Sequence, residues 1–183
     1  MKRQMVAGVA AALAWAAAAA AEGLIGADLA AFRDPVGEWK VIGDAAKDSA
    51  NGARLSVKDG AGAMYNGPNG RTSDILTREE FGDVEVHVEF MVPEKSNSGV
   101  YLMGRYEVQI LDSFGVEKPG HGDCGGIYQR WAGERGFEGR PPRVNASRPA
   151  GQWLSGFRTA YSDALAPDFN RNSSSAGRLP GRT

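Results

Sequence analysis

The stretch SNSGVYLMGRYEVQILDSFG, residues 96–115, decides how this chain is read. It opens on a turn, Asn97-Ser98-Gly99, and continues as one long alternating run. Val100, Leu102, Tyr106, Val108 and Ile110 fall on one parity, and Tyr101, Met103, Arg105, Glu107 and Gln109 on the other. A strand sends successive side chains to opposite faces, so the first set is a core face. The second sets a cation, a carboxylate, an amide and an aromatic ring in one row, which suits gripping a polyhydroxylated ligand.

Just upstream, Val84–Val92 alternates almost perfectly. Val84, Val86, Val88, Phe90 and Val92 face one way, and Glu85, His87, Glu89 and Met91 the other. So many β-branched residues in a period of two make a strand. The loop Pro93–Gly99 joins it to the opening stretch, which reads as an antiparallel pair. If the two are neighbours, Glu85, His87 and Glu89 lie beside Arg105, Glu107 and Gln109.

The rest of the chain agrees with a β-rich domain. The 183 residues include 25 glycines, enough chain for one domain with a sizeable core and many turns. Strands are expected at Gly37–Ile42, Arg54–Val57, Ser73–Thr77 and Ile127–Trp131, with loops at 43–53, 58–71 and 116–126. Residues 132–152 hold three prolines and little periodicity, and so long a connection in a compact domain is often functional. A formal charge of −1 without a basic stripe argues against a nucleic-acid partner. One cysteine, Cys124, excludes an intrachain disulfide and a multi-thiolate zinc site. No cofactor is implied.

Lys2-Arg3, the Ala-rich run Met5–Ala20 and the small residues Ala19-Ala20-Ala21 have the form of a signal peptide over residues 1–21, cleaved before Glu22. Export to a bacterial periplasm or exterior is the expectation, with no stable membrane insertion after cleavage. The run is short for a spanning helix. Cleavage leaves 19 Lys+Arg against 22 Asp+Glu, a charge of −3.

Several pieces in order resemble the 3-keto-disaccharide hydrolase domain family of secreted bacterial proteins. They are Asp28-Leu29 with Gly37-Glu38-Trp39, Phe81-Gly82-Asp83 before the VEVHVEF strand, Asn97-Ser98-Gly99-Val100, the run Tyr106–Ser113, Cys124–Tyr128, and Pro142–Trp153. The YEVQILDS run at its distance from NSGV is the most specific of them. The resemblance covers residues 28–153. It implies a concanavalin-like antiparallel β-sandwich (a jelly roll) over residues 22–153 and action on glycosides oxidised to a ketone at C3. After Trp153 it stops. Residues 154–183 are rich in Ser, Arg, Gly, Pro and Ala, a composition that buries little surface. They read either as a frameshifted or truncated end that leaves the sandwich incomplete, or as a divergent tail.

A ketone at C3 makes the C2 proton of a sugar acidic. A base removes it, the C1 substituent leaves, and water addition completes net hydrolysis. That route needs a base, an acid near the glycosidic oxygen and donors for the enolate. Ordinary glycosidases use two carboxylates roughly 5–9.5 Å apart. Glu107 is the first candidate for base or acid, or else it is ion-paired with Arg105 or Lys95. Glu89 and Glu85 are candidate second carboxylates, and His87 a proton shuttle or a plain surface histidine. Arg105 suits an oxyanion or a hydroxyl, or a salt bridge. Asn97 and Gln109 suit hydroxyls, and Tyr101, Tyr128 and Trp131 suit stacking on a sugar ring, although Tyr128 and Trp131 suit core packing equally well. Asp112 has the wrong parity for that face and suits a cap on the following turn. His121-Gly122-Asp123 is a weak metal hint, and no metal is assigned. Asn145-Ala146-Ser147 matches a glycosylation sequon but suits ordering a loop. The leading expectation is an exported enzyme that cleaves 3-keto-glycosides by hydrolysis or elimination. Its rivals are a non-catalytic carbohydrate-binding module, an ordinary glucanase and an inactive truncated copy.

Overall fold

The computed structural model describes residues 24–82 and 84–161, with side chains through Leu154. The expected signal peptide and the last 22 residues of the expected tail lie outside the described residues.

The fold is all-β, as expected, with antiparallel sheets that fit a sandwich, and one short 3₁₀ turn, Gly133–Arg135. The strands are β1 (Lys40–Lys47), β2 (Leu55–Tyr65), β3 (Val84–Phe90), β4 (Asn97–Leu102), β5 (Tyr106–Leu111), β6 (Ile127–Trp131), β7 (Phe137–Arg140) and β8 (Leu154–Tyr161). They form a β1–β2 pair, a β3–β8 pair and a four-stranded sheet in the order β4-β5-β6-β7.

The opening stretch is therefore a hairpin rather than one strand. Leu102 pairs with Tyr106, and the Arg105 N–H donates to the Leu102 carbonyl at 3.0 Å. Met103 and Gly104 both have positive φ, 56° and 59°, the sense of turn that matches strand twist. The odd-length turn keeps the faces in phase. Val100 opposes Val108, and Tyr101 opposes Glu107, so each parity set still shares a face. Val108 and Ile110 are buried, worth about 1.5–3 kcal/mol each.

Three expectations are corrected. First, β3 does not pair with the opening stretch. It pairs with β8, in the register Val84↔Tyr161 to Phe90↔Leu154. β4 has a partner three residues away, and closing that short loop costs less than closing a long one. Second, β1 and β2 run on through the expected loops, Lys47 being the last residue of β1 and Tyr65 of β2. The glycines taken as loop signals make a bulge between Ile42 and Asp44. A Cβ on Gly43 would stand 2.8 Å from the Asp59 carbonyl, and Gly60 has φ 141°. Third, Ser73–Thr77 is not a strand. Only Thr77 bridges, to Phe32, and Leu76 is exposed. Its two apolar residues, Ile75 and Leu76, are adjacent and would fall on opposite faces of a strand, so neither face is an apolar row.

Strand β8 begins at Leu154, where the resemblance stopped. Phe157, Thr159 and Tyr161 recur every second residue there, a β signal that the Ser- and Arg-rich sequence beyond it obscured.

Candidate active site

The odd face of the four-stranded sheet carries the candidate site. Gly99 and Tyr101 come from β4, and Glu107 and Gln109 from β5. The Tyr101 hydroxyl donates to Glu107 Oε2 at 2.6 Å, a short, charge-assisted bond that fixes the carboxylate's direction. The Glu107 side chain lies back over Gly99. A Cβ there would stand 2.7 Å from Glu107 Cγ, so the glycine of Asn97-Ser98-Gly99 exists to make room for this carboxylate. Tyr101 is 52% exposed, so the pair meets solvent.

Gln109 is not part of the open face. It is 3% exposed, and its amide nitrogen donates to the Gly122 carbonyl at 3.1 Å. Its backbone is clamped as well, with the N–H on the Gly126 carbonyl at 2.9 Å and the carbonyl taking the Gly125 N–H at 2.8 Å. It ties the glycine-rich loop onto the sheet. Ser113 and Asp123 complete that loop. The Ser113 hydroxyl donates to Asp123 Oδ1 at 3.0 Å and accepts the Cys124 N–H at 3.1 Å, while the Gly120 N–H donates to Asp123 Oδ2 at 2.7 Å. Cys124 is buried beneath them. Asn145 orders the loop, its amide donating to the Ser113 and Val116 carbonyls at 2.7 and 2.9 Å. Asp112 caps backwards rather than forwards, accepting the Lys95 N–H at 2.9 Å.

Strand β6 shares a face pattern with β5 through Val108↔Ile127, which sends Tyr128 to the Glu107 face. A register shift lies between Ile127 and Arg130. Beyond it the Arg130 guanidinium sits 4.7 Å over the Tyr106 ring on the opposite face, so Trp131 also points to the Glu107 face. Trp131 is 63% exposed and packs edge-on against Phe137, 68% exposed, with ring centroids 5.3 Å apart. Tyr128 meets the His121 ring edge-on at 5.9 Å.

Of the other expected residues, those on β3 are placed apart. His87 and Glu89 are on β3, with Nε2 and Oε1 3.6 Å apart and both side chains exposed. Because β3 belongs to another sheet, they do not sit beside Arg105, Glu107 and Gln109 as the assumed pairing required. Asn97 begins β4 opposite Leu111, at the far end from the Tyr101–Glu107 pair. Arg105 closes the hairpin turn. Sequence reasoning passed over His121 as part of a weak metal hint, and it passed over Phe137, whose place opposite Trp131 needs the bulge to be seen. Among the described residues no three His, Cys, Asp or Glu side chains gather as metal ligands. A recess between Phe90, Leu111, Cys124 and Ser147 has a volume of ≈ 10 Å³, room for about one water. The site is an open sheet face.

Residues 24–156 match the family model described as a 3-keto-alpha-glucoside-1,2-lyase-like domain. The chain belongs to this family. No curated protein and no solved structure matches it.

Proposed function

We propose that this member of the family cleaves 3-keto-glycosides by elimination across C1 and C2, with Glu107 as the base. The observation that carries the reading is the Tyr101–Glu107 pair, an oriented carboxylate at solvent on a face flanked by aromatic rings. Glu107 takes the C2 proton. The electron pair is held as an enolate by the C3 ketone and then forms the C1=C2 bond as the C1–O bond to the leaving group breaks. Tyr101 holds the carboxylate in line, and Arg105 serves the enolate oxygen. Tyr128 and Trp131 stack on the sugar, and Asn97 meets a hydroxyl further along the strand. Addition of water to the enone turns the elimination into net hydrolysis. The Lys2-Arg3 and Ala-rich leader supports a place of action outside the cytoplasm.

Cleavage of a 3-keto-disaccharide with deuterium at C2 tests this. A primary isotope effect, and no cleavage of the unoxidised disaccharide, are expected. Cleavage of the unoxidised sugar without an isotope effect would instead indicate an ordinary glycosidase. The exposed Trp131–Phe137 pair favours a second reading, a sugar-binding face without catalysis. That reading requires saturable binding with no turnover.

A further inference from the structure

The loop that Gln109 ties down delivers one side chain that nothing in the fold accounts for. His121 Nδ1 is buried without a hydrogen-bond partner. Leaving such a group unpaired is costly, and each case in a native protein calls for a reason. The chain also makes special room for the ring. A Cβ on Gly139 would stand 2.9 Å from His121 Cβ and Cγ, so only glycine fits on β7 at that point. Gly126 is equally confined, its Cβ position lying 2.6 Å from the His121 carbonyl. Tyr128 meets the ring edge-on, and the neighbouring Gly122 carbonyl receives the Gln109 amide.

These contacts place the imidazole on the Glu107 face. Glu138 pairs with Arg130 on the Tyr106 side, so Gly139 next to it faces the Glu107 side, with His121 packed against it. Gln109, which anchors the neighbouring residue, stands two positions from Glu107 on the same face, roughly 6.5–7 Å along the strand. Gly139 on β7 is two strands from β5, roughly 10 Å across the sheet, so the carboxylate and the imidazole flank a sugar bound on this face from its two sides.

We propose that His121 is the acid of this site. Resting on the elimination reading above, it gives a proton from its imidazole to the glycosidic oxygen as the C1–O bond breaks. Glu107 ends the step with the C2 proton, His121 is left one proton short, and solvent exchange restores both. With Nδ1 buried, Nε2 is the ring nitrogen that meets the glycosidic oxygen.

The test uses two leaving groups. A 3-keto-disaccharide expels a poor one that needs protonation, whereas 4-nitrophenyl 3-keto-glucoside expels a phenolate that does not. His121→Gln is expected to lower kcat on the disaccharide by about 10²–10⁴-fold and on the nitrophenyl substrate by less than about tenfold. Equal loss on both, or loss on neither, overturns the proposal. Glu107→Gln loses both, so persistence of activity in that variant overturns the underlying reading instead. A second measurement does not need the His121 variant to fold. The chain has two histidines, His87 and His121, so ¹⁵N-histidine labelling gives two sets of ring signals. Titrating the Glu107→Gln protein with 3-keto-disaccharide is expected to shift the His121 signals and leave those of His87. Unmoved His121 signals at saturation overturn the proposal.

Discussion

The β4–β5 hairpin and strand β3 are written in the same alphabet, with valines on one parity and acidic or polar side chains on the other. Their surroundings differ. β5 is covered by the core on its Val108 side and by the glycine-rich loop at Gln109 on the other, which leaves Glu107 at the open edge of that cover. On β3, Val84, Val86 and Val88 are half-buried while Glu85, His87 and Glu89 stand in solvent. Alternation marks which face is polar, but only what packs on that face makes it a site. Glu107 has a hydroxyl donor, a glycine cleared for it and aromatic flanks. Glu89 has a histidine on its own strand.

The sharpest way to break this contrast is to remove the carboxylates one region at a time. Glu107→Gln is expected to reduce turnover of a 3-keto-disaccharide by about 10³-fold or more, and His87→Ala with Glu89→Gln to stay within about tenfold of the wild type. Steady-state kinetics on purified protein decides it, and the reverse ranking would move the site to β3.

Next in size is Gly99→Val. It drives a branched side chain into the space of Glu107. A loss of about 1–3 kcal/mol in stability, with a fall in kcat larger than the rise in KM, is expected. Denaturant unfolding read beside kinetics shows both. The matching change in the other region, Glu85→Val, fills no such space and leaves kcat in place.

Gln109→Leu tests the floor of the site. The Gly122 carbonyl loses its donor in a buried position, at a cost of about 1–3 kcal/mol. Hydrogen exchange should quicken at Gly125 and Gly126, whose loop this residue holds.

The smallest effect lies in the turn between β1 and β2. Asp48 accepts the Ala50 and Asn51 N–H groups at 2.7 and 3.0 Å, and these bonds hold its carboxyl below its ordinary 3.8. A carboxyl depressed in the folded state stabilises it above the ordinary value, and that help fades as pH falls through the folded one. Asp48→Asn should therefore lower the thermal midpoint slightly at pH 7 and make no difference near pH 2.

Much of this was legible because periodicity survives misjudged topology. Residues 100–110 were read as one strand, yet the faces came out right, because the three-residue turn at Met103–Arg105 leaves odd opposite odd. A turn one residue longer or shorter would have put equal parities on opposite faces. The β3 alternation was equally plain. Pairing was not, since a strand's hydrogen-bond partner depends on chain distance and on β8, whose Phe157, Thr159 and Tyr161 sat in a segment judged by composition. Glycines misled in β2, where they make a bulge, and informed at Gly99, where the close approach is to a side chain placed eight residues later. His121 left no periodic trace, because a loop and a glycine on another strand define its seat.

The clearance at Gly99 also constrains how the sequence can change over time. Positions 99 and 107 behave as one heritable character. A side chain at 99 is admissible only in a lineage where the residue at 107 has already shortened, and such a lineage has given up the carboxylate proposed as base. Relatives that retain turnover should therefore keep both positions, and drift at 99 would mark copies released from selection on catalysis.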